Sequence, residues 1–257
     1  MIPTPIRQVL STIRKHQVQA LLMGGQACVF YGAAQFSKDV DLTLLAAAEN
    51  FARLLAALDE LQADRIAVPR FDPALLARGH AVHFRCRHPL ASGLRVDVMT
   101  RLRDLPEFPL LWARRTTITD ADGTEFQLMA VEDLVQAKKT QRSKDWPIIE
   151  ALVEGHYHAT GAEPTPERIR FWLTEARGPE RLVELAGRFP VQALELVATR
   201  PLLAHAISRD LAALRPALDA EARAEQEKDR AYWEPLKREL ESFRRVEASE
   251  RRGSETG

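Results

Sequence analysis

Asp39 and Asp41 stand one residue apart in Ser37-Lys38-Asp39-Val40-Asp41-Leu42, where acid alternates with aliphatic. On a strand, residues two apart project from the same face, roughly 7 Å apart at their Cα atoms. Two carboxylates so placed repel each other unless a cation lies between them. Hard oxygen donors of this kind suit magnesium or manganese, which also keep bonds to substrate phosphates. A solvated strand end is the competing explanation, because Asp-x-Asp also arises by chance. A third carboxylate, Asp97, sits inside the alternating run Leu94-Arg95-Val96-Asp97-Val98-Met99. A buried carboxylate without a partner is costly. Arg95 on the same face would supply one. Alternatively this strand lies antiparallel beside the Asp39–Asp41 strand, adding a third carboxylate to hold a second metal and take the proton of an attacking hydroxyl. Upstream, Gly24-Gly25 ends the apolar run from Val18 to Met23. Glycines there let backbone approach a ligand closely, and N–H groups at a helix start attract phosphate oxygens. A Gly-Gly turn by itself is more often only a turn.

These residues need elements to hold them. Ile6, Val9, Leu10 and Ile13 have helical spacing between Pro5 and His16. Val18–Met23 reads as a buried strand, 26–31 as a short helix, and 39–45 as a strand with Val40, Leu42 and Leu44 opposite Asp41 and Thr43. Helical spacing returns from Glu49 to Leu61. The stretches 81–87 and 94–99 read as strands, and Asp120-Ala121-Asp122-Gly123 marks a hairpin between 114–118 and 125–128. From Ala130 onward the pattern is helical, with a domain boundary expected between Gly155 and Pro166, giving segments 1–155 and 156–257. Thr165 is expected to cap a helix with Pro166 at its first position. The tail from Ala220 to Arg252 suggests a long exposed helix fraying at Gly253. The fold expected is α/β in the broad sense (α+β): a mixed, largely antiparallel sheet flanked by helices, then an all-helical region.

The chain has 257 residues, with 36 basic and 36 acidic side chains. This length can bury a sizeable core without staples. The balanced charge gives no whole-chain argument for a nucleic-acid partner. Between Arg65 and Arg115, however, ten arginines face only Asp72, Asp97, Asp104 and Glu107, a local excess able to attract phosphates or simply be solvated. Cys28 and Cys86 form no CxxC pattern and are expected as free buried thiols in a reducing compartment. No secretory pattern opens the sequence, and no apolar run approaches the ~20 residues needed to span a bilayer. A soluble, cytoplasmic protein without a membrane partner is expected.

Taken in order, Met23-Gly24-Gly25-Gln26-Ala27, Ser37-Lys38-Asp39-Val40-Asp41-Leu42, the strand aspartate Asp97, and Ala130-Val131-Glu132-Asp133-Leu134-Val135-Gln136-Ala137-Lys138 followed by Arg142-Ser143-Lys144-Asp145-Trp146 resemble the DNA polymerase β nucleotidyltransferase superfamily. Within it, the chain is similar to the bacterial branch of AbiEii-type toxins and related nucleotidyltransferases, over about residues 5 to 155. The resemblance implies a palm domain that moves a nucleoside monophosphate from a triphosphate such as ATP to a hydroxyl, releasing pyrophosphate. It assigns catalysis and Mg2+ or Mn2+ binding to Asp39, Asp41 and Asp97. It assigns nucleotide contacts to Gly24, Gly25, Ser37, Lys38 and Lys138, with Lys139 a second choice. An RNA or tRNA 3′ end as acceptor, and a cognate antitoxin as partner, follow from the toxin branch. Two departures bear on the donor nucleotide: Gly25 stands where many members carry serine, and no arginine closely precedes the aspartate pair. The rival class is a non-catalytic nucleotide- or partner-binding module with the same fold.

Other candidates carry less. His80, His83, Cys86 and His88 match no common zinc spacing, and His83 points away from the face shared by the other three. Glu132 and Asp133 read as acids at a helix start. Asp145 reads as a local partner for backbone or Arg142, in competition with a functional role. His156 and His158 are expected in solvent, and Trp172 and Trp233 as packing residues.

Overall fold

The computed structural model describes residues 2–254. In chain order the first half comprises α1 (Thr4–Lys15), β1 (Ala20–Met23), α2 (Gly24–Phe30), β2 (Asp39–Leu44), α3 (Ala48–Glu60), β3 (Asp64–Arg65), α4 (Pro73–Ala77), β4 (Val82–Arg85), β5 (Arg95–Met99), α5 (Phe108–Ala113), β6 (Thr116–Thr119) and β7 (Glu125–Leu128). The second half is helical: α6 (Val131–Lys138), α7 (Trp146–Thr160), α8 (Pro166–Glu175), α9 (Pro179–Arg188), α10 (Pro190–Leu196), α11 (Leu203–Ile207) and α12 (Leu211–Ser254).

Alternation dictates the strands. Val40, Leu42 and Leu44 of β2 are buried, as are Val96 and Val98 of β5 and Val82 and Phe84 of β4, leaving Asp39, Asp41, His83, Arg95 and Asp97 on the opposite face. β1 lies between two other strands and is buried at all four residues, so both of its faces are covered. The seven-stranded sheet has the order β3-β4-β5-β2-β1-β7-β6. Four of its six pairings are antiparallel, whereas β2–β5 and β1–β7 are parallel. The sheet is therefore mixed and largely antiparallel, as expected. The expected direction of β5 against β2 is corrected: they run parallel, with Asp41 opposite Asp97 and Asp39 opposite Arg95.

α8 starts where its cap stands. Thr165 accepts a hydrogen bond from the Arg168 amide, and Pro166 occupies the first turn of α8. α7 runs unbroken from Trp146 to Thr160, and the helix break falls at Gly161, inside the stretch between Gly155 and Pro166. Trp172 is fully buried, and one contiguous apolar core joins residues of the sheet to Leu182, Leu203 and Leu214 of the later helices.

α12 departs from expectation. Its 44 residues would extend about 66 Å at the rise of an α-helix, and it continues through Gly253. It is not simply exposed. Leu214, Leu218, Asp229 and Leu236 are buried. Asp229 accepts from the Gln141 amide at 2.8 Å, Glu239 meets His80 at 2.5 Å and Arg78 at 2.6 Å, and Glu247 meets Arg65 at 2.8 Å. Gly79, at φ +100°, lets the Tyr232 hydroxyl approach to where a Cβ would stand 2.8 Å away. The helix thus straps the helical half to the far edge of the sheet. Among the described residues, no helix is long and apolar enough to cross a membrane.

Candidate active site

The site lies where β1 ends and the adjacent parallel strands β2 and β5 begin. Asp41 on β2 is flanked by Met23 on β1 and Asp97 on β5, with Asp39 and Arg95 paired two residues earlier on the same face. All three sequence-predicted aspartates are therefore brought together, with an arginine among them. Arg95 Nε donates to Asp97 Oδ1 at 2.6 Å, and His83 Nδ1 stands 2.8 Å from the same oxygen. Arg95 Nη2 also approaches His83 Nδ1 at 3.0 Å. That nitrogen serves one of them at a time, donating to the carboxylate or accepting from the guanidinium.

The electrostatics separate the aspartates. Burial raises the Asp41 carboxyl, and the neighbouring Asp97 and Asp39 raise it further; Lys138 and the Gly25 amide oppose this, leaving it pushed up to about 6. Burial also raises Asp97, but hydrogen bonds from His83 and Arg95 outweigh it and hold that carboxyl below the usual range. One carboxylate has its counter-charge and the other does not.

The glycine turn fits closely against Asp41. Gly24 has φ +66°, and a Cβ there would stand 1.9 Å from Asp41 Oδ2. Position 24 therefore excludes side chains both by conformation and by space. Gly25 is constrained from the other side, since a Cβ would come 2.7 Å from Ser37 Oγ. That hydroxyl donates to the Asp39 carbonyl at 3.1 Å, folding the 31–38 segment back over the turn. Lys38 is exposed and makes no hydrogen bond or ion pair with any described residue. Phe36 beside it is 71% exposed.

Lys138 reaches the site from behind. It is buried at the end of α6, with Nζ 3.2 Å from Asp145 Oδ1, and its charge lowers Asp41 and Cys28. Burial nonetheless pushes the Cys28 thiol up to about 11, and both cysteines are free and buried. Asp145 is almost fully enclosed and also accepts from Thr140 Oγ1 at 2.6 Å and Arg142 Nε at 2.8 Å. The local pairing with Arg142 is as the sequence suggested, and the same carboxylate also holds Lys138. Lys139 points elsewhere, to Glu175 at 2.7 Å.

The remaining candidates separate. His80 binds Glu239 and His83 binds Asp97. Among the described residues, no group of three or more His, Cys, Asp or Glu side chains is gathered closely enough to hold a metal, so neither a histidine–cysteine zinc site nor a ready-made three-carboxylate cage is present. His156 corrects its expected exposure: only 13% of its side chain is accessible, and Nδ1 accepts from Trp172 Nε1 at 2.9 Å. Asp133 pairs with Arg114 rather than merely complementing a helix end. The arginines from 65 to 115 are largely neutralised, several by carboxylates of α12. His83 could have been suspected from alternation alone, which sets it opposite Val82 and Phe84.

No protein-family model matches the chain, and no curated protein matches it. Among solved structures, it is similar to a "putative nucleotidyltransferase from H. pylori" at a TM-score of 0.42 and 15% identity, covering 88% of this chain and 94% of that one. It is also similar to the antibiotic-resistance factor ANT(2'')-Ia at a TM-score of 0.35 and 13% identity, covering 76% and 95%. Neither likeness carries an argument about activity. The residues must carry it.

Proposed function

We propose that the chain is a metal-dependent nucleotidyltransferase moving a nucleoside monophosphate from a triphosphate to a hydroxyl. The observation behind this reading is geometric. Asp39, Asp41 and Asp97 share one face of adjacent strands, against a glycine turn whose shape Asp41 itself enforces. The donor set suits magnesium or manganese by type, because all three groups are hard carboxylate oxygens, although their side chains would have to draw closer together to hold an ion jointly. Asp39 and Asp41 would hold the metal, with Asp97 as the third ligand. A bound metal would neutralise phosphate charge and stabilise the entering and leaving oxygens.

The chain's own groups do the positioning. Gly24 and Gly25 make room for the Asp41 carboxylate and the Ser37 hydroxyl, and a triphosphate bound on this face would draw on the turn, Ser37, Lys38 and Lys138 for its phosphates. The acceptor oxygen forms a bond to the α-phosphorus, the bond to the β-phosphate oxygen breaks, and pyrophosphate leaves. Asp97 Oδ1 is engaged by Arg95 and His83, while Oδ2 has no hydrogen-bond partner among the described residues and would receive the acceptor's proton. An RNA or tRNA 3′ end is the acceptor to test first, in a toxin whose antitoxin contacts the C-terminal helices; the neutralised arginines add nothing to that choice.

A second reading, a nucleotide-binding module that transfers nothing, is favoured by one observation: Arg95 and His83 already occupy Asp97. Incubation with each labelled triphosphate, magnesium and total tRNA or cell extract separates the two. Label transfer that disappears in Asp39→Asn and Asp41→Asn supports the enzyme. Saturable nucleotide binding without transfer to any acceptor supports the module.

A further inference from the structure

A second pocket shares no residue with the carboxylate face. A cavity of about 480 Å³ opens at the end of α2, among the start of β6, the start of α6 and α7. That volume is within the ~300–1,000 Å³ typical of small-molecule sites. Phe30, Tyr31 and the buried Leu152 supply much of its apolar lining. The Tyr31 hydroxyl donates to the Met129 carbonyl at 2.8 Å, which holds its ring in place.

Two polar groups line the cavity with bonding capacity to spare. The first is His156, whose tautomer is fixed by its neighbour. An indole N–H only donates, and that of Trp172 gives its proton to His156 Nδ1 at 2.9 Å. Nδ1 therefore supplies the lone pair, and the neutral ring bears its own proton on Nε2. Burial holds the imidazole below its usual range, with Arg168 adding to the effect and Glu132 opposing it, so the ring is neutral at pH 7. Phe171 packs edge-on against it at 5.1 Å. The second group is the Glu132 carboxylate. Its Oε1 stands 3.7 Å from His156 Nε2, too far for a hydrogen bond. Neither group has another hydrogen-bond partner among the described residues, and both side chains are open to solvent, 13% and 47% accessible. Arg114, by contrast, is spent: it donates through Nε and Nη2 to the two oxygens of Asp133. The pocket presents one N–H donor beside a carboxylate with two acceptor oxygens, and its uncompensated charge is negative.

We propose that this cavity binds a flat aminopyrimidinone ring, the ring common to guanine and the pterins. One edge of that ring carries two adjacent N–H donors followed by a carbonyl oxygen. The donors match the two Glu132 oxygens, and the carbonyl matches the Nε2–H of His156. Two of the three bonds are charge-assisted. Phe30 and Tyr31 offer aromatic surface for the flat ring. Hypoxanthine lacks the outer amino donor, and adenine presents one donor beside one acceptor, so each leaves a Glu132 oxygen unserved. The pocket uses no residue of the carboxylate face, so binding there stands or falls apart from any nucleotide transfer.

The full-length protein is titrated calorimetrically, without added metal, with guanosine and with a neutral pterin, and these two arms separate the sources of the ring. Inosine and adenosine are the controls. Expected is saturable binding of at least one of the first two, with inosine about tenfold weaker than guanosine and adenosine weaker still. Glu132→Gln, at an exposed position with no hydrogen bond to lose, keeps the native melting temperature. It weakens binding of the ring about tenfold and erases the preference for guanosine over inosine. Asp41→Asn binds as the native protein does. The proposal is overturned if neither ring binds, if inosine equals guanosine in the native protein, or if Glu132→Gln binds like the native protein. Loss of binding in Asp41→Asn would place the ring on the carboxylate face and overturn it equally.

Discussion

Asp41 and Gly24 constrain each other. The carboxylate occupies the space that a side chain at position 24 would need, and the backbone there is left-handed. Gly24→Ala is expected to cost about 1–2 kcal/mol in backbone strain alone and to push Asp41 out of the face. Gly32→Ala serves as its control, since φ is +75° but the space is open, so only strain remains. Urea unfolding reads both costs, and only Gly24→Ala should abolish metal-dependent nucleotide binding. Asp145 gives the pH prediction. Burial raises its carboxyl, but Lys138, Thr140 and Arg142 together hold it below the usual range. A carboxyl depressed in the folded state contributes stability above its unfolded pKa, roughly 4, and that contribution fades as pH falls through the folded value. Asp145→Asn should therefore cost about 3 kcal/mol at neutral pH, where Lys138 is left buried without its counter-ion. The gap to the native protein should close progressively below about pH 4. A constant gap between pH 7 and pH 3 would show that the ion pair is not its origin. The aspartate pair and the lone strand aspartate were readable in the sequence because period-two alternation is local. Arg95 was readable as a partner of Asp97, two residues away on the same face, and it pairs there; His83 was not, because it comes from another strand.

At the scale of elements, alternation and helical spacing recovered most of the strands and the longer helices. Direction and register escaped, because a strand's residue pattern reads the same whether its neighbour runs parallel or antiparallel. β2 and β5 are parallel because α3 and β4 lie between them in sequence and return the chain to the starting edge. The two-residue β3 and the short α4 and α5 were missed for want of length: a five- or six-residue helix spans too little for a periodicity. Capping chemistry was legible at Thr165, and its worth can be measured. Thr165→Ala should destabilise by about 1 kcal/mol and Thr165→Ser by much less. Equal effects from the two substitutions would remove the hydroxyl from the explanation.

At the scale of the whole molecule, the balance of 36 basic and 36 acidic residues turns out to be arranged in space. The arginine excess between 65 and 115 is met from α12, where Glu225, Asp229, Glu239 and Glu247 reach Arg103, Arg78 and Arg65. A tail rich in glutamate and arginine looks like a solvated helix in sequence, because partners more than a hundred residues away leave no local trace. Asp229 is the firmest point of this strap: it is buried, takes the Gln141 amide and Trp233 Nε1, and lies 3.4 Å from Arg103. Asp229→Ala should cost about 3 kcal/mol, through the unpaired amide and guanidinium. It should also open α12 to limited proteolysis before the sheet is cut; cleavage at the native rate would argue against a strap.

The strap has a consequence in time as well as in space. Domains made during synthesis tend to fold from the N-terminal side, at about 5–20 residues per second. The aspartate face is complete once β5 has emerged, well before residues 225–247 exist to cover Arg103, Arg78, His80 and Arg65. A nascent chain would therefore carry its candidate site on a sheet whose edge is still positively charged and bare. Closure of that edge waits for the helix made more than a hundred residues later.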